Sequence, residues 1–130
     1  MRTILVTGVS TGIGRAIAEE LLETNEYYVI GSVRKNGDAS YLSKKYDKTF
    51  FEVIFDVTKK EEIESGKEEV KKILSENGSY LSCVINNAGI ALGGPVRYLD
   101  VDIFRKQFEV NFFGLIEVTK CFMNLLIDSN

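Results

Sequence analysis

The sequence predicts an α/β fold built on a parallel sheet, and three observations lead to this class. Short apolar runs alternate with longer segments of helical periodicity along all 130 residues. The apolar runs are nearly continuous, as expected for strands that are buried on both faces. The first run, Thr3–Thr7, leads through a glycine-rich turn directly into a helical pattern. Alternation of this kind predicts parallel strands with right-handed crossovers and helices on both faces.

Four apolar runs are predicted as strands. Each is short, rich in β-branched or aromatic residues, and followed by glycine or polar residues that end it. The third run contains only Glu52 and Asp56 as charged residues. The predicted strands cover Thr3–Thr7, Tyr28–Val33, Phe50–Val57 and Leu81–Asn86.

The segments between the first three strands carry helical signals. Apolar residues at four-residue spacing predict a helix from about Gly12 to Glu23. A short helical turn is expected around Tyr41–Tyr46. Thr58 and Glu61 match a capping box and predict the start of a third helix, which the Asn77-Gly78-Ser79 sequence ends. Gly66 inside that helix is expected to cost about 1 kcal/mol relative to alanine.

Two further helices are expected after the fourth strand. Asp100 is a good N-cap for the first of them, and the second runs from about Asn111 to the end of the chain. The apolar stretch Phe112–Ile127 is interrupted by Glu117, Lys120 and Asn124, so it is interpreted as a buried helix of a soluble protein. No segment resembles a targeting or membrane-spanning element, which leads us to expect a cytoplasmic protein.

Composition excludes several classes of function. The chain is 45% hydrophobic, enough for a core, and its length allows one domain over residues 1–130. A net charge of −3 argues against nucleic acid or an anionic membrane as partner. The absence of histidine excludes a Ser-His-Asp triad and most zinc sites, and no metal site is predicted. Cys83 and Cys121 are expected to be buried, reduced thiols.

The turn after the first strand is the most informative segment. It contains Gly8, Gly12 and Gly14, with a helix starting directly behind them. Gly8 suits a tight turn, Gly12 lets the backbone approach a pyrophosphate, and Gly14 permits close packing of the helix. The helix N-terminus favours an anion. The alternative is a glycine-rich connector without a ligand, whereas a P-loop is excluded because no Gly-Lys-Ser/Thr sequence occurs.

The end of the second strand bears on the choice of cofactor. Arg34 follows Gly14 by 20 residues, where an acid would bind the ribose 2′-hydroxyl of NAD and an arginine can pair with the 2′-phosphate of NADP. The nearest acid, Asp38, lies beyond the turn. NADP is therefore favoured over NAD, and a solvated basic loop remains the alternative. Arg34 in place of an acid also disfavours a SAM-dependent methyltransferase.

Asp56-Val57, at the end of the predicted third strand, allows two interpretations. They form one edge of a nucleotide pocket, or Asp56 is the phospho-accepting residue of a receiver domain. A receiver domain needs an acidic cluster after the first strand, where this chain has Thr7-Gly8. The receiver interpretation is therefore rejected.

In combination, these motifs resemble the short-chain dehydrogenase/reductase family. Thr7–Gly14 (TGVSTGIG), Asp56-Val57, Asn86–Gly89 (NNAG) and Asn111 stand in the order and approximate spacing of that family. The resemblance covers essentially the whole chain. It implies a Rossmann-type doubly wound sheet with strand order 3-2-1-4, incomplete because the second half is missing. It also implies hydride transfer between NAD(P) and an alcohol or ketone.

The resemblance also assigns roles to individual residues. The pyrophosphate and the adenosine ribose would be lined by the glycine turn, namely by Gly8, Ser10, Thr11, Gly12, Ile13 and Gly14. Asp56 and Val57 would hold the adenine ring. The floor under the ribose would be shaped by Asn87, Ala88 and Gly89. Asn111 would contribute to catalysis through a backbone carbonyl that holds a water of a proton relay. The run Ser32-Val33-Arg34 and the segment Gly89–Val96 are most similar to NADP-preferring members of the family that act on hydroxysteroids or retinoids.

The family's catalytic serine, tyrosine and lysine are expected after the asparagine helix, beyond Asn130. The one Tyr-x-x-x-Lys of this chain, Tyr41 to Lys45, lies between the second and third strands and is interpreted as a surface turn. We therefore expect the cofactor-binding half of an oxidoreductase, inactive by itself. The alternative is a non-catalytic dinucleotide-binding or interaction module. Related enzymes often pair through the helix that begins near Asn111, so a homo-oligomer is also expected.

Overall fold

A computed structural model describes residues 1–128, so the last two positions of the expected 1–130 domain lie outside the described residues. The strands are β1 (Arg2–Thr7), β2 (Tyr27–Val33), β3 (Phe50–Ile54) and β4 (Tyr80–Ile85). They form one parallel sheet in the order β3-β2-β1-β4. The predicted fold class and strand order are confirmed.

Helices connect the strands and extend beyond the last one. The helices are α1 (Gly12–Glu23), α2 (Ser40–Lys45), α3 (Lys60–Glu76), α4 (Val101–Phe108) and α5 (Leu115–Ile127). A π-helical segment, Glu109–Gly114, joins α4 to α5 without a break. The predicted pair of separate helices is therefore wrong: the carboxyl-terminal part is one helical run. Its start is as predicted, because the Asp100 side chain accepts a hydrogen bond from the Asp102 N–H.

The sheet is covered on both faces, since neighbouring residues of one strand point to opposite sides. Leu5 of β1 belongs to one core together with side chains of α3 and α5, such as Val70 and Phe122. Ile4 and Val6 belong to the other core, with side chains of α1 and α2 such as Leu22. This alternation makes the sheet doubly wound.

The third strand and the helix after it differ from expectation at their junction. β3 ends at Ile54 and not at Val57: the Phe55 N–H still donates to the Val33 carbonyl at 3.0 Å, and the next N–H, of Asp56, donates to the Glu62 carboxylate at 2.7 Å. The capping box is also wrong: the Thr58 hydroxyl donates to the Asp56 carboxylate at 2.7 Å and caps no helix. The helix still ends at Asn77 as predicted.

The carboxyl-terminal helical run is largely exposed. Val118 and Phe122 are fully buried against the sheet, whereas Phe112 and Phe113 are about half exposed. The expectation of a buried helix is thus wrong for most of the run. Taken as one helix, Val101–Ile127 is long and apolar enough by length and composition to cross a membrane, and 17% of its most apolar window is buried. The expectation that no segment resembles a membrane-spanning element rested on the interrupted stretch Phe112–Ile127, and the continuous helical run is longer than that stretch and passes by length and composition.

Candidate functional site

A cavity of about 860 Å³ opens where the carboxyl ends of the four strands meet. The predicted cofactor residues in its wall are Gly8, Ser10, Thr11, Ile13, Arg34, Asp56, Val57, Asn87, Ala88 and Gly89. Gly12 and Gly14 stand behind the wall, in the first turn of α1. Asn111 borders a smaller cavity of about 400 Å³ beside it. The structure therefore brings nearly all predicted positions to one edge of the sheet, where ligands bind in open α/β folds.

The turn between β1 and α1 is fixed by the neighbouring strand. Gly8 has a φ of 73°, a conformation that favours glycine. Its N–H donates to the carbonyl of Ser32 at 3.0 Å and to the Ser32 hydroxyl at 3.3 Å. The N–H of Val9 also donates to the Ser32 carbonyl, at 3.2 Å. The Thr11 side chain does not cap α1, so it leaves the first N–H groups of this helix, which have no partner within the helix, available to a ligand.

Two glycines of the turn allow a close approach to the end of β4. A Cβ on Gly8 would lie 2.9 Å from the Ala88 Cα, and a Cβ on Gly14 would collide with the Gly8 carbonyl and the Asn87 side-chain amide. Asn87 uses that space to donate hydrogen bonds of 2.9 Å to the carbonyls of both Thr7 and Gly8. The glycines thus let one side chain join the ends of β1 and β4.

Arg34 and Asp56 lie on the side of the cavity formed by β2 and β3. Partial burial raises the pKa of the Asp56 carboxyl, but hydrogen bonds from the Thr58 N–H and hydroxyl and the charges of Lys59 and Arg34 outweigh it. The pKa of Asp56 is therefore held below its usual value. The carboxylate is charged at neutral pH, and Arg34 is exposed nearby as a cation.

Asn111 lies in the π-helical segment and pairs with the loop that follows β4. Its side-chain carbonyl accepts from the Ile90 N–H at 2.8 Å, and its NH₂ donates to the Ile90 carbonyl at 2.7 Å. A Cβ on Gly89 would come within 3.1 Å of the same side chain. Single π turns inside α-helices are frequent at functional sites, and here the turn carries the residue expected to be catalytic.

Tyr41 and Lys45 lie on α2, outside the cavity wall. The Arg15 guanidinium stacks on the Tyr41 ring at 3.8 Å, and the Lys45 ammonium forms ion pairs with Glu19 and Glu23. A hydrogen bond with Tyr46 and the pairing with Glu23 raise the pKa of Lys45. The Tyr-x-x-x-Lys of this chain is thus a surface feature, as predicted.

The cysteines and acidic residues show no second chemical site among residues 1–128. Cys83 and Cys121 are free and half-buried, rather than fully buried as expected. Burial, with the negative charge of Glu64, raises the pKa of the Cys121 thiol to about 11. No group of three or more His, Cys, Asp or Glu residues in this part of the chain could hold a metal ion.

Comparison with known proteins decides the family. Residues 2–130 match the short chain dehydrogenase family. The chain belongs to this family. Across 126 residues it is 42% identical to the NADPH-dependent 3-dehydrocapnine reductase of Ornithobacterium rhinotracheale. The aligned part covers 97% of the chain and 44% of the reductase. It is 36% identical to the estradiol 17-beta-dehydrogenase 2 of Rattus norvegicus, over 96% of the chain and 33% of that enzyme.

Solved structures of short-chain dehydrogenases superpose on the chain. An NADPH-bound carbonyl reductase from chicken fatty liver matches with a TM-score of 0.85 and 27% identity, covering 96% of this chain and 48% of the reductase. The chain therefore spans less than half of the length of each of these three relatives, and the matched part is their N-terminal portion. Fold and family are shared over that portion.

Three residues that line or hold the candidate site were not among the predicted site residues. Ser32 lines the cavity and fixes the glycine turn, and Glu62 holds the backbone of Asp56. Gln107 bonds to Leu92 in the loop after β4. For Gln107 a signal existed, because it lies four residues before Asn111 and therefore on the same helix face. Ser32 stands in a run that resembles the family, but its contact with the glycine turn was not predicted, and Glu62 belongs to no motif. Only the assembled structure shows the partners of these two residues.

Proposed function

We propose that the chain forms the NADP(H)-binding portion of an oxidoreductase that transfers hydride between a nicotinamide cofactor and an alcohol or ketone. One observation carries the proposal: the glycine turn, Arg34, Asp56 and the Asn87–Gly89 segment meet around one cavity. Its volume is within the range typical of cofactor sites. The relatives support the same chemistry, since two of them are described as an NADPH-dependent and an NADPH-bound reductase.

The residues present fit a dinucleotide. Gly8 and Gly12 have positive φ values and no side chain between the backbone and the cavity, so the pyrophosphate can approach the N–H groups at the start of α1. In the proposal, Ser10, Thr11 and Ile13 line the pyrophosphate and ribose, and Asp56 and Val57 hold the adenine. When bound, the nicotinamide supplies the hydride donor or acceptor.

The β4 end of the site would receive the reacting part of the cofactor. Asn87, Ala88 and Gly89 form the floor, held to β1 by the Asn87 amide. Asn111 is assigned a backbone carbonyl that positions a water, while its side chain secures Ile90. A small alcohol or ketone would approach from this side.

NADP is favoured over NAD because the cavity offers the Arg34 guanidinium where the ribose 2′-phosphate is expected. The test is a fluorescence titration of the intact protein with NADPH and with NADH. Arg34→Asp should weaken NADPH binding by roughly 10- to 100-fold, the loss expected for a charge-assisted hydrogen bond, and should affect NADH much less. The control is Arg97→Asp, which changes the same charge outside the cavity wall.

Two results would count against this function. If Arg34→Asp lowered the affinities for NADPH and NADH equally, the assignment of NADP would be wrong. If the unmodified protein bound neither nucleotide, the dinucleotide site itself would be wrong.

We also propose that residues 1–130 alone do not catalyse the reaction. Their one Tyr-x-x-x-Lys is Tyr41 to Lys45, which lies outside the cavity wall. A Tyr positioned beside the substrate and activated by a Lys is what the proton transfer requires. Ketone-dependent oxidation of NADPH by these residues, retained in Tyr41→Phe, would contradict the proposal.

We further propose that the chain forms a homo-oligomer through the carboxyl-terminal helical run. The half-exposed aromatic side chains of that run favour pairing with a second copy of the chain.

A further inference from the structure

Two side-chain amides on one helix face hold the loop that follows β4. Asn111 pairs with both backbone groups of Ile90. Four residues earlier, Gln107 pairs in the same way with Leu92: its carbonyl accepts from the Leu92 N–H at 3.1 Å and its NH₂ donates to the Leu92 carbonyl at 2.8 Å. Each of the two loop residues, Ile90 and Leu92, is thus bound through both its backbone N–H and its backbone C=O.

The geometry explains why the two pairs occur together. Gln107 lies at the end of α4 and Asn111 four residues later in the π-helical segment, while their partners Leu92 and Ile90 are two residues apart in the loop. In extended chain, every second residue directs its N–H and C=O to the same side. The helix face therefore takes the place of a neighbouring strand, and Gln107 and Asn111 serve as its hydrogen-bonding positions.

Leu92, which Gln107 binds, lies between two cavities. Leu92 lines the large cavity at the strand ends and also the smaller cavity, whose wall includes Phe104 and Phe108. Because β4 is at the opposite edge of the sheet from β3, Leu92 follows the strand farthest from the one that precedes Asp56. An apolar wall at that end faces the part of a dinucleotide remote from its adenine.

We propose that Gln107 is a positioning residue: by binding the backbone of Leu92 it orders the apolar wall at the β4 end of the cavity. This rests on the proposed function for the identity of the ligand, a nicotinamide dinucleotide. The pairs at Gln107 are exposed to solvent, so water can replace them when they are removed. Loss of Gln107 therefore leaves the fold intact, but the Leu92 backbone is no longer fixed to the helix and the loop becomes more mobile there.

The test compares three variants of the intact protein. Gln107→Leu keeps the size of the side chain and removes both hydrogen bonds, whereas Gln107→Glu keeps the acceptor and removes the donor. Arg105→Leu is the control, since Arg105 lies on the same helix, is exposed and borders neither cavity. Amide hydrogen exchange at Leu92, the emission of bound NADPH, NADPH affinity and the melting temperature are measured for each.

Gln107→Leu should accelerate exchange of the Leu92 amide by roughly tenfold, and Gln107→Glu by less. In Gln107→Leu the emission of bound NADPH should change, because water reaches the nicotinamide, while NADPH affinity and melting temperature stay at the values of Arg105→Leu. Unchanged exchange at Leu92, or faster exchange with unchanged NADPH emission, would overturn the proposal. If the unmodified protein does not bind NADPH, the proposed function fails, and the exchange data still decide whether Gln107 orders the wall.

Discussion

Asn87 and Thr7 are joined by two hydrogen bonds at the carboxyl ends of β4 and β1. The Asn87 amide donates to the Thr7 carbonyl at 2.9 Å, and its backbone N–H donates to the Thr7 hydroxyl oxygen at 3.0 Å. The same hydroxyl oxygen accepts from the Ala88 N–H at 2.9 Å. One threonine oxygen thus accepts from two adjacent backbone donors, of which the Asn87 N–H also donates to the Ile85 carbonyl at 3.1 Å. The floor of the cavity is thereby joined to the strand that carries the glycine turn.

Thr7→Val is expected to destabilise the chain by about 1–3 kcal/mol, because a methyl group replaces the oxygen that accepts two part-buried N–H groups. The measurement is the free energy of unfolding in urea. The control is Thr49→Val, since the Thr49 side chain makes no hydrogen bond within the described residues. Equal stability of the two variants would show that Thr7 is not needed to hold the Asn87–Ala88 backbone.

Gly66→Ala is expected to destabilise α3 although alanine is the better helix former. A Cβ at this position would lie 2.5 Å from the Phe55 Cδ1 in the core. Overpacking typically costs about 1–3 kcal/mol, which outweighs the gain of about 1 kcal/mol in helix propensity. The control is Ser75→Ala on the exposed face of the same helix, which should be neutral or slightly stabilising in thermal unfolding. A rise in the melting temperature of Gly66→Ala would contradict the packing assigned to Phe55.

Asp56 is expected to make the stability of the chain fall in acid. Its pKa is lower in the folded chain than its ordinary value, so its contribution is complete above about pH 4 and is lost as the pH falls through the folded pKa. Between about pH 6 and pH 3, Asp56→Asn should lose less free energy of unfolding than the unmodified chain. Asp47→Asn serves as control, because the exposed Asp47 carboxylate makes no hydrogen bond or ion pair among the described residues. Parallel pH profiles for all three proteins would contradict the prediction.

Cys121 is expected to react slowly with alkylating agents. With a pKa of about 11, about one thiol in a thousand is ionised at pH 8, whereas a free cysteine of pKa about 8.5 is about one quarter ionised. In Cys83→Ser, iodoacetamide should modify Cys121 at least about 100-fold more slowly than a cysteine peptide. Unfolding in urea should abolish the difference. A rate within a few fold of that of the peptide would show that the folded chain exposes this thiol.

Features that depend on residues close in sequence were predicted well. The limits of α1, the N-cap at Asp100 and the end of α3 at Asn77 agree with the structure. The capping box failed although it is also local, because Asp56 competes for the Thr58 hydroxyl at 2.7 Å. The pattern of Thr58 and Glu61 contains no information about that competitor, which lies before the helix.

The sequence by itself determined the class of fold and, through the family resemblance, the strand order. It also identified most of the candidate residues that line the cavity. Parallel strands bring their carboxyl ends to one edge, so motifs that follow strands must meet there. Tertiary structure alone decided which groups bind one another at that edge. The pairing of Glu62 with the Asp56 N–H and of Gln107 with Leu92 depends on how helices lie against loops. Such hydrogen bonds form between any polar side chain and any backbone group brought within about 3 Å. The spacing of Gln107 from Asn111 therefore indicates a shared helix face, but no sequence pattern identifies the backbone group that each side chain binds.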